Sequence, residues 1–396
     1  MHDGGAPIRV AIDCRAIGSG LGGDETLLRG ILSGLAQTAG PGEVFPLLLP
    51  AGSTPPEGCE DRVRFPPTVV ARRPGLVHFG RTLPKSLARL RPRPDLVLSL
   101  THGPLTGTIP SALLVTDLSF RTHPEFYPPA ARIRLSQLVA RQARRARAVV
   151  TISQFCRRDI IQAYGLAEEQ VVVVPCGISA PVPLTDGERP ALARWLERAG
   201  VTGPFVLYLG NLHRRKNVAR LIRAFTQARR DCAELAGHQL VIAGARWFAG
   251  QAGAEQEAAI AAAPGTVVAL GPVDDRQREY LLTAAVALAY VSLFEGFGLP
   301  PLEAMARGLP VLSSNAAALP ETMGDAALLV DPSSVDGIAR GLACVLGDLD
   351  LRRSLRERGW RRAATFSCAA TGDAARAVFR TAVAGGRPGV AALRRR

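Results

Sequence analysis

The sequence predicts an α/β protein made of two doubly wound domains, each a parallel sheet between helices. Three observations carry that expectation. Short apolar runs without charge, such as Val286 to Val291, suit strands buried on both faces of a parallel sheet. Segments of helical pattern lie between them, so strand and helix alternate along the chain. A stretch bounded by Pro181 and Pro190 reads as a linker between two such series. With 396 residues the chain has room for roughly two or three domains, each with its own core.

In the first series, Ile8 to Asp13 is the opening strand, and a helix runs from the Gly18 to Gly23 segment to about Ala36. Gly18, Gly20 and Gly23 satisfy G-x-G-x-x-G, so an NAD-dependent oxidoreductase is one reading. Such a unit needs an acid at the end of its second strand. Glu43 instead precedes the apolar Val44 to Leu49, and the glycines read better as a flexible loop. Pro50 to Pro74 reads as irregular surface. Asp95 to Leu100 is a strand with His102 at its exit, and Ala112 begins another whose exit loop carries Thr116 and Asp117. Tyr127 to Arg147 is a basic helix, suited to a solvated face or to an anionic membrane. Ala148 to Ser153 is a strand, with Ser153 capping a helix from Gln154 to Tyr164. Val171 to Val174 closes the series.

The second series opens with the strand Phe205 to Gly210 and its exit Asn211 to Asn217, then a helix from Val218 to about Arg229. A strand, a glycine turn and a basic cluster at a helix start make a phosphate site by dipole and charge together. Lys216 is one of two lysines, with Lys85, in a chain that otherwise uses arginine. A compact ammonium reaches an oxygen where a planar guanidinium does not fit. Leu240 to Gly244 and Thr266 to Leu270 are further strands, and Asp274 or Asp275 caps the helix that follows. Pro310 to Ser314 and Leu328 to Pro332 are the last strands. Asp348-Leu349-Asp350 is a literal D-x-D, a metal motif elsewhere, and reads here as a helix cap. Helices continue from Ser333 to about Ala384, and the tail to Arg396 should fray.

The stretch from Ser292 to Gly308 organises the rest. Gly296 and Gly298 break the strand before it into a turn, Pro300 and Pro301 suit a first helical turn, and Gly308 closes the helix. Glu295 falls on the strand exit and Glu303 early in the helix, both facing the carboxyl ends of the strands, where open α/β sheets bind ligands. A carboxylate accepts both hydroxyls of a vicinal diol, and helix N–H groups favour phosphate. Diol plus phosphate suggests a sugar nucleotide.

Composition excludes several classes. Mean hydropathy is +0.13 and hydrophobic content 47%, ordinary for a globular protein. The opening residues lack the features of a signal peptide. The longest apolar run, Leu281 to Phe294, falls short of the ~20 residues that span a bilayer. Seven cysteines without C-x-x-C indicate neither a zinc site nor a disulfide framework, which fits a cytoplasmic protein. The net charge of +14 admits nucleic acid, anionic lipid or a phosphorylated substrate as partner. No nucleic-acid-binding motif accompanies the charge, so no nucleic acid is expected.

Glu295, seven residues and Glu303, within Phe-Glu-Gly-Phe-Gly-Leu-Pro-Pro-Leu-Glu-Ala, resemble the E-x7-E signature of retaining GT-B glycosyltransferases of family 4. The resemblance extends from about Ile8 to Val383. It implies two Rossmann-like domains facing across a cleft: an acceptor-side domain over residues 1–183, a nucleotide-sugar domain over 184–365, a helix over 366–385 crossing back to the first, and a tail over 386–396. Arg215 and Lys216 match the family's diphosphate-binding pair, with Asn211 beside them. By the same resemblance, Glu303 holds the ribose, while Glu295 and the Phe297-Gly298-Leu299 backbone hold the sugar. Gly20 and Gly22 match a loop near donor phosphate and acceptor, and Asp117 stands on the acceptor side. Thr116 replaces the family's usual histidine, so a sugar-nucleotide-binding protein without turnover is an alternative. The implied reaction moves a sugar, with GDP-mannose as first donor candidate, to a glycan or lipid-linked hydroxyl, with retention, no metal and no cofactor. The setting is cytoplasmic, with the inner membrane face as an option.

Overall fold

Among the described residues every strand pairs in parallel. The computed structural model describes residues 7–19, 22–245 and 251–386, in two compact units. The first unit combines Met1–Gly177 with Phe366–Arg396, and the second is Ile178–Thr365. The chain thus changes unit ahead of the expected 183/184 boundary. Arg276 explains why, because it donates to Pro183 O at 3.2 Å and pairs with Glu188, holding that stretch to the second unit.

The first unit contains β1 (Ile8–Asp13), β2 (Glu43–Val44), β3 (Leu47–Pro50), β4 (Pro67–Val70), β5 (Leu96–Leu100), β6 (Ser111–Leu114), β7 (Ala148–Thr151) and β8 (Val171–Val173). Their order is β4-β3-β1-β5-β6-β7-β8, with β2 also beside β1. Pro50 to Pro74, expected to be irregular, holds the edge strand β4. A four-residue strand opening on proline gives almost no periodic signal, and proline is tolerated there because the edge needs no donor. The β1, β3 and β5 side chains are almost wholly buried, as helices on both faces require.

The helix Cys368–Val383 belongs to this unit and lies against the helix Gly23–Thr38. The two meet backbone to backbone. A Cβ on Gly34 would fall 2.0 Å from Cys368 O and 2.6 Å from Gly372 N. Thr371 Oγ1 donates to Pro175 O at 2.8 Å. Glu43 has no side-chain exposure and accepts from Arg376 at 2.6 Å and Arg380 at 2.8 Å. The acid that sits at the wrong end of its strand for a dinucleotide is a clamp for this last helix.

The second unit contains β9 (Phe205–Leu209), β10 (Gln239–Ala243), β11 (Val267–Gly271), β12 (Ala287–Tyr290), β13 (Val311–Ser314) and β14 (Leu328–Val330). The order β11-β10-β9-β12-β13-β14 is the Rossmann order, 3-2-1-4-5-6 in strands of this unit. Its core strands are fully buried in sequence, β9 and β12 included. Local chemistry sets the helix starts. Ser153 accepts from Cys156 N, and Asp274 forms a capping box with Gln277. Asp348 accepts from Leu351 N at 2.9 Å, so the D-x-D is a cap as expected. The tail beyond residue 386 lies outside the described residues.

Candidate functional site

In the second unit the strand order reverses between β9 and β12, and the exits of these two strands carry the expected residues. After β9, Gly210 passes so close to Gly244 that a Cβ on Gly244 would lie 1.8 Å from Gly210 O. The chain then makes a single turn, Arg214–Lys216, and Asn217 takes a left-handed φ of 62°. Asn217 Nδ2 fixes that corner by donating to Val291 O at 2.9 Å and Pro332 O at 2.7 Å. Leu293 N donates to Arg215 O at 2.7 Å, joining the two exits.

Glu295 lies where they join. Its Oε1 accepts from Lys216 Nζ at 2.6 Å and Tyr290 Oη at 3.0 Å, and its Oε2 accepts from Arg215 at 2.9 Å. Lys216 Nζ also donates to Tyr290 Oη at 2.5 Å and lies 4.9 Å from the centre of that ring. Glu295 is 5% exposed and Lys216 6%. Burial alone would push the Glu295 carboxyl up, but Arg215 and then Lys216 outweigh it and hold the group at about 2. Two cations and one carboxylate leave 2 − 1 = +1, so the cluster is prepared for an anion.

The rest of the Ser292 to Gly308 stretch folds as its residues dictate. Gly298 has a φ of 109°, and a Cβ there would meet Leu319 Cδ2 at 2.7 Å. The helix Leu299–Ala306 starts on it with no side-chain cap. Pro300 and Pro301 remove two of its first N–H groups, so an anion here depends more on Arg215 and Lys216 than on the helix dipole. Phe297 and Leu299 are buried at 5% and 9% exposure. Glu303 accepts from Arg278 Nη1 through Oε1 at 2.8 Å, a pair separate from the Glu295 cluster. Asn211 Oδ1 is buried without a partner, an orphaned acceptor beside the β9 exit.

Tyr290 and Arg278 were not among the expected site residues. Tyr290 looked like one more apolar strand residue. As the last residue of β12, its hydroxyl emerges at the carboxyl end, and that position was the available signal. Arg278 pairs with Glu303 across 25 residues, and no motif links them.

In the first unit Asp117 accepts from Ser119 N at 2.8 Å and Ser119 Oγ at 2.6 Å, and Ser119 in turn contacts Tyr127 Oη at 2.6 Å. Gly22 has a φ of 41° and precedes the Gly23–Thr38 helix, while Gly20 lies outside the described residues. Among the described residues no group of three His, Cys, Asp or Glu side chains is placed to hold a metal ion.

The family described as Glycosyl transferases group 1 matches residues 194–362, and Glycosyltransferase Family 4 matches residues 21–180. The chain thus carries a region similar to Glycosyltransferase Family 4 followed by one similar to Glycosyl transferases group 1, each match covering under half of its length. Among curated relatives of this chain, the O-antigen chain mannosyltransferase B of Escherichia coli is 31% identical over 63% of this chain and 65% of its own length. The serotype-specific mannosyltransferase WbdA of Escherichia coli is 27% identical over 57% of this chain. The chain thus spans under two thirds of the first relative and 28% of WbdA. The GT-B fold also appears in solved structures. Sucrose-phosphate synthase from Thermosynechococcus elongatus superposes with a TM-score of 0.73 at 20% identity, covering 96% of this chain and all (100%) of that one. HepE of Anabaena, solved with UDP and glucose, gives 0.68 at 18% identity, covering 92% and 97%.

Proposed function

We propose that this glycosyltransferase moves mannose from GDP-mannose to a hydroxyl of a glycan or lipid-linked acceptor in surface polysaccharide assembly. The buried Glu295–Arg215–Lys216 cluster at the switch point of the second unit carries the reading. Departure of the nucleotide diphosphate builds negative charge, and Arg215 and Lys216 are fixed beforehand to receive it. Glu295 holds both cations and lies where the sugar would enter, beside the Phe297-Gly298-Leu299 backbone. Glu303 Oε2 is left to accept from the ribose diol while Oε1 stays on Arg278. Asn211 lines the diphosphate, and the loop of Gly20 and Gly22 approaches donor and acceptor. Asp117 belongs to the acceptor side.

The two E. coli mannosyltransferases support mannose as the sugar. The reaction proceeds with retention, the leaving phosphate taking the acceptor proton, and two fixed cations serve where other enzymes use a divalent metal. The site of action is the cytoplasmic membrane face. No described helix is long and apolar enough to cross a bilayer. The helix Pro129–Arg145 buries little beyond Val139 and Ala143 and leaves Ile133 52% exposed, which suits peripheral contact with anionic lipid.

Thermal shift against nucleotide sugars, followed by transfer assays with and without EDTA, tests the reading. GDP-mannose should stabilise the protein most, and transfer should survive chelation. Stabilisation by a UDP-sugar instead would replace the donor, and activity restored only by Mn²⁺ or Mg²⁺ would overturn the metal-free mechanism.

A further inference from the structure

The first unit has its own switch point, between β1 and β5, and an open pocket of about 450 Å³ lies there. It is lined by the exits of both strands, Asp13 and Leu100 to His102, and by residues from β3 and β4. The volume falls within the roughly 300–1,000 Å³ of small-molecule sites. Its charge is one-sided. Arg15, Arg72, Arg73 and Arg134 line it against Asp13 and Asp24, a formal 4 − 2 = +2.

Asp13 is already engaged, because His78 Nε2 lies 3.3 Å from both of its oxygens and each residue is buried. Arg72 is fixed by donating to Gly18 O at 2.9 Å and Ile17 O at 3.2 Å, with no carboxylate partner in either bond. Arg15 sits over the Phe79 ring at 5.2 Å. Arg15, Arg73 and Arg134 form no ion pair among the described residues. The field registers on His102, which burial first and then Arg134 and Arg15 hold down at about 4. Leu76 lines the same pocket and is 55% exposed.

We infer that this pocket binds the phosphoryl group of a phosphorylated acceptor, either a soluble sugar phosphate or a lipid-linked sugar diphosphate. The inference rests on the glycosyltransferase reading for the word acceptor, and on the pocket's own arginines for the phosphate. Planar guanidiniums without carboxylate partners match phosphate oxygens in pairs, which a neutral glycan would not use.

The test is calorimetry on the full chain with three probes: mannose 1-phosphate, methyl α-mannoside and mannose linked to farnesyl diphosphate. Each is run with and without saturating GDP. Mannose 1-phosphate should bind at least tenfold more tightly than methyl mannoside, whether or not GDP is present, and the preference should weaken with salt. The exposed pair Arg73→Ala/Arg134→Ala should abolish the preference while GDP affinity stays as in wild type, and Arg134→Glu alone should weaken it. Tighter binding of the farnesyl probe assigns the lipid source, and equal binding the soluble one. Equal binding of charged and neutral mannose, loss of the phosphorylated probe to GDP competition, or unchanged binding in both variants would overturn the proposal. If GDP fails to bind while mannose 1-phosphate still does, the donor assignment falls and this one stands.

Discussion

Lys216 Nζ and Glu295 Oε1 lie 2.6 Å apart, in residues that are 6% and 5% exposed. Removing one partner leaves a buried charge short of its counterion, which costs about 3–5 kcal/mol. Arg215 remains on the other oxygen, so Lys216→Ala should fall at the low end of that range in urea unfolding. Its kcat/KM should fall as well, by at least about 2 kcal/mol of transition-state stabilisation, as expected when a donor to developing charge is lost. Turnover within a few fold of wild type would remove Lys216 from the site.

Glu295→Gln has the opposite electrostatic effect. It raises the cluster from +1 to +2, so free GDP should bind as well as in wild type or more tightly, while kcat drops. Isothermal titration with GDP and steady-state kinetics separate the two quantities. Weaker GDP binding in this variant would mean that Glu295 orders the cations more than it neutralises them.

Glu303 should behave differently because its partner is Arg278, outside the Glu295 cluster. Glu303→Gln should weaken GDP by about 1.5–3 kcal/mol, the range for hydrogen bonds to a charged group. If GDP lacking the ribose 2′-hydroxyl loses as much in wild type and nothing more in the variant, the carboxylate faces the diol. A full additional loss in the variant would place it elsewhere.

His102 gives a pH signature. It is held at about 4, below an ordinary value of 6.5, so it is neutral in the fold while the unfolded chain takes up a proton. Its contribution is therefore complete above about pH 6.5 and is lost as pH falls towards 4, at most about 3 kcal/mol. Urea midpoints at pH 7 and pH 4.5 should fall for wild type and fall less for His102→Gln. Parallel behaviour of the two proteins would dismiss the effect.

The Gly34 contact predicts a stability loss with no bearing on chemistry. Gly34→Ala would place a methyl group 2.0 Å from Cys368 O, and two helical backbones must separate to admit it. Overpacking of this kind costs about 1–3 kcal/mol or more. Differential scanning calorimetry should show a lowered transition with GDP affinity retained.

Much of this was legible in the sequence because it is local. Uncharged runs gave the strands of both sheets, and Ser153, Asp274 and Asp348 gave helix starts that depend on three-residue contacts. The Glu295 and Glu303 spacing, with its glycines and prolines, marked the strand exit and helix start where the Glu295 cluster and the Arg278–Glu303 pair lie. What escaped depends on distant partners. Glu43 meets Arg376 across 333 positions, and His78 meets Asp13 across 65. The pocket of the first unit needs four arginines from three segments, each unremarkable where it stands in the chain. The strand Pro67–Val70 escaped for a different reason, since it is too short and too proline-marked to show a period.

The glycine contact between the Gly23–Thr38 and Cys368–Val383 helices also sets an order of assembly. A ribosome releases the whole second unit before the helix that completes the first. Domains generally fold as they emerge, N-terminal part first. Here the N-terminal part emerges with the surface around Gly34 and the Glu43 carboxylate uncovered, and both stay so until residues 368–383 arrive. A nascent chain stalled before Phe366 would hold a finished second unit and an unfinished first one, and would be a natural client for chaperones.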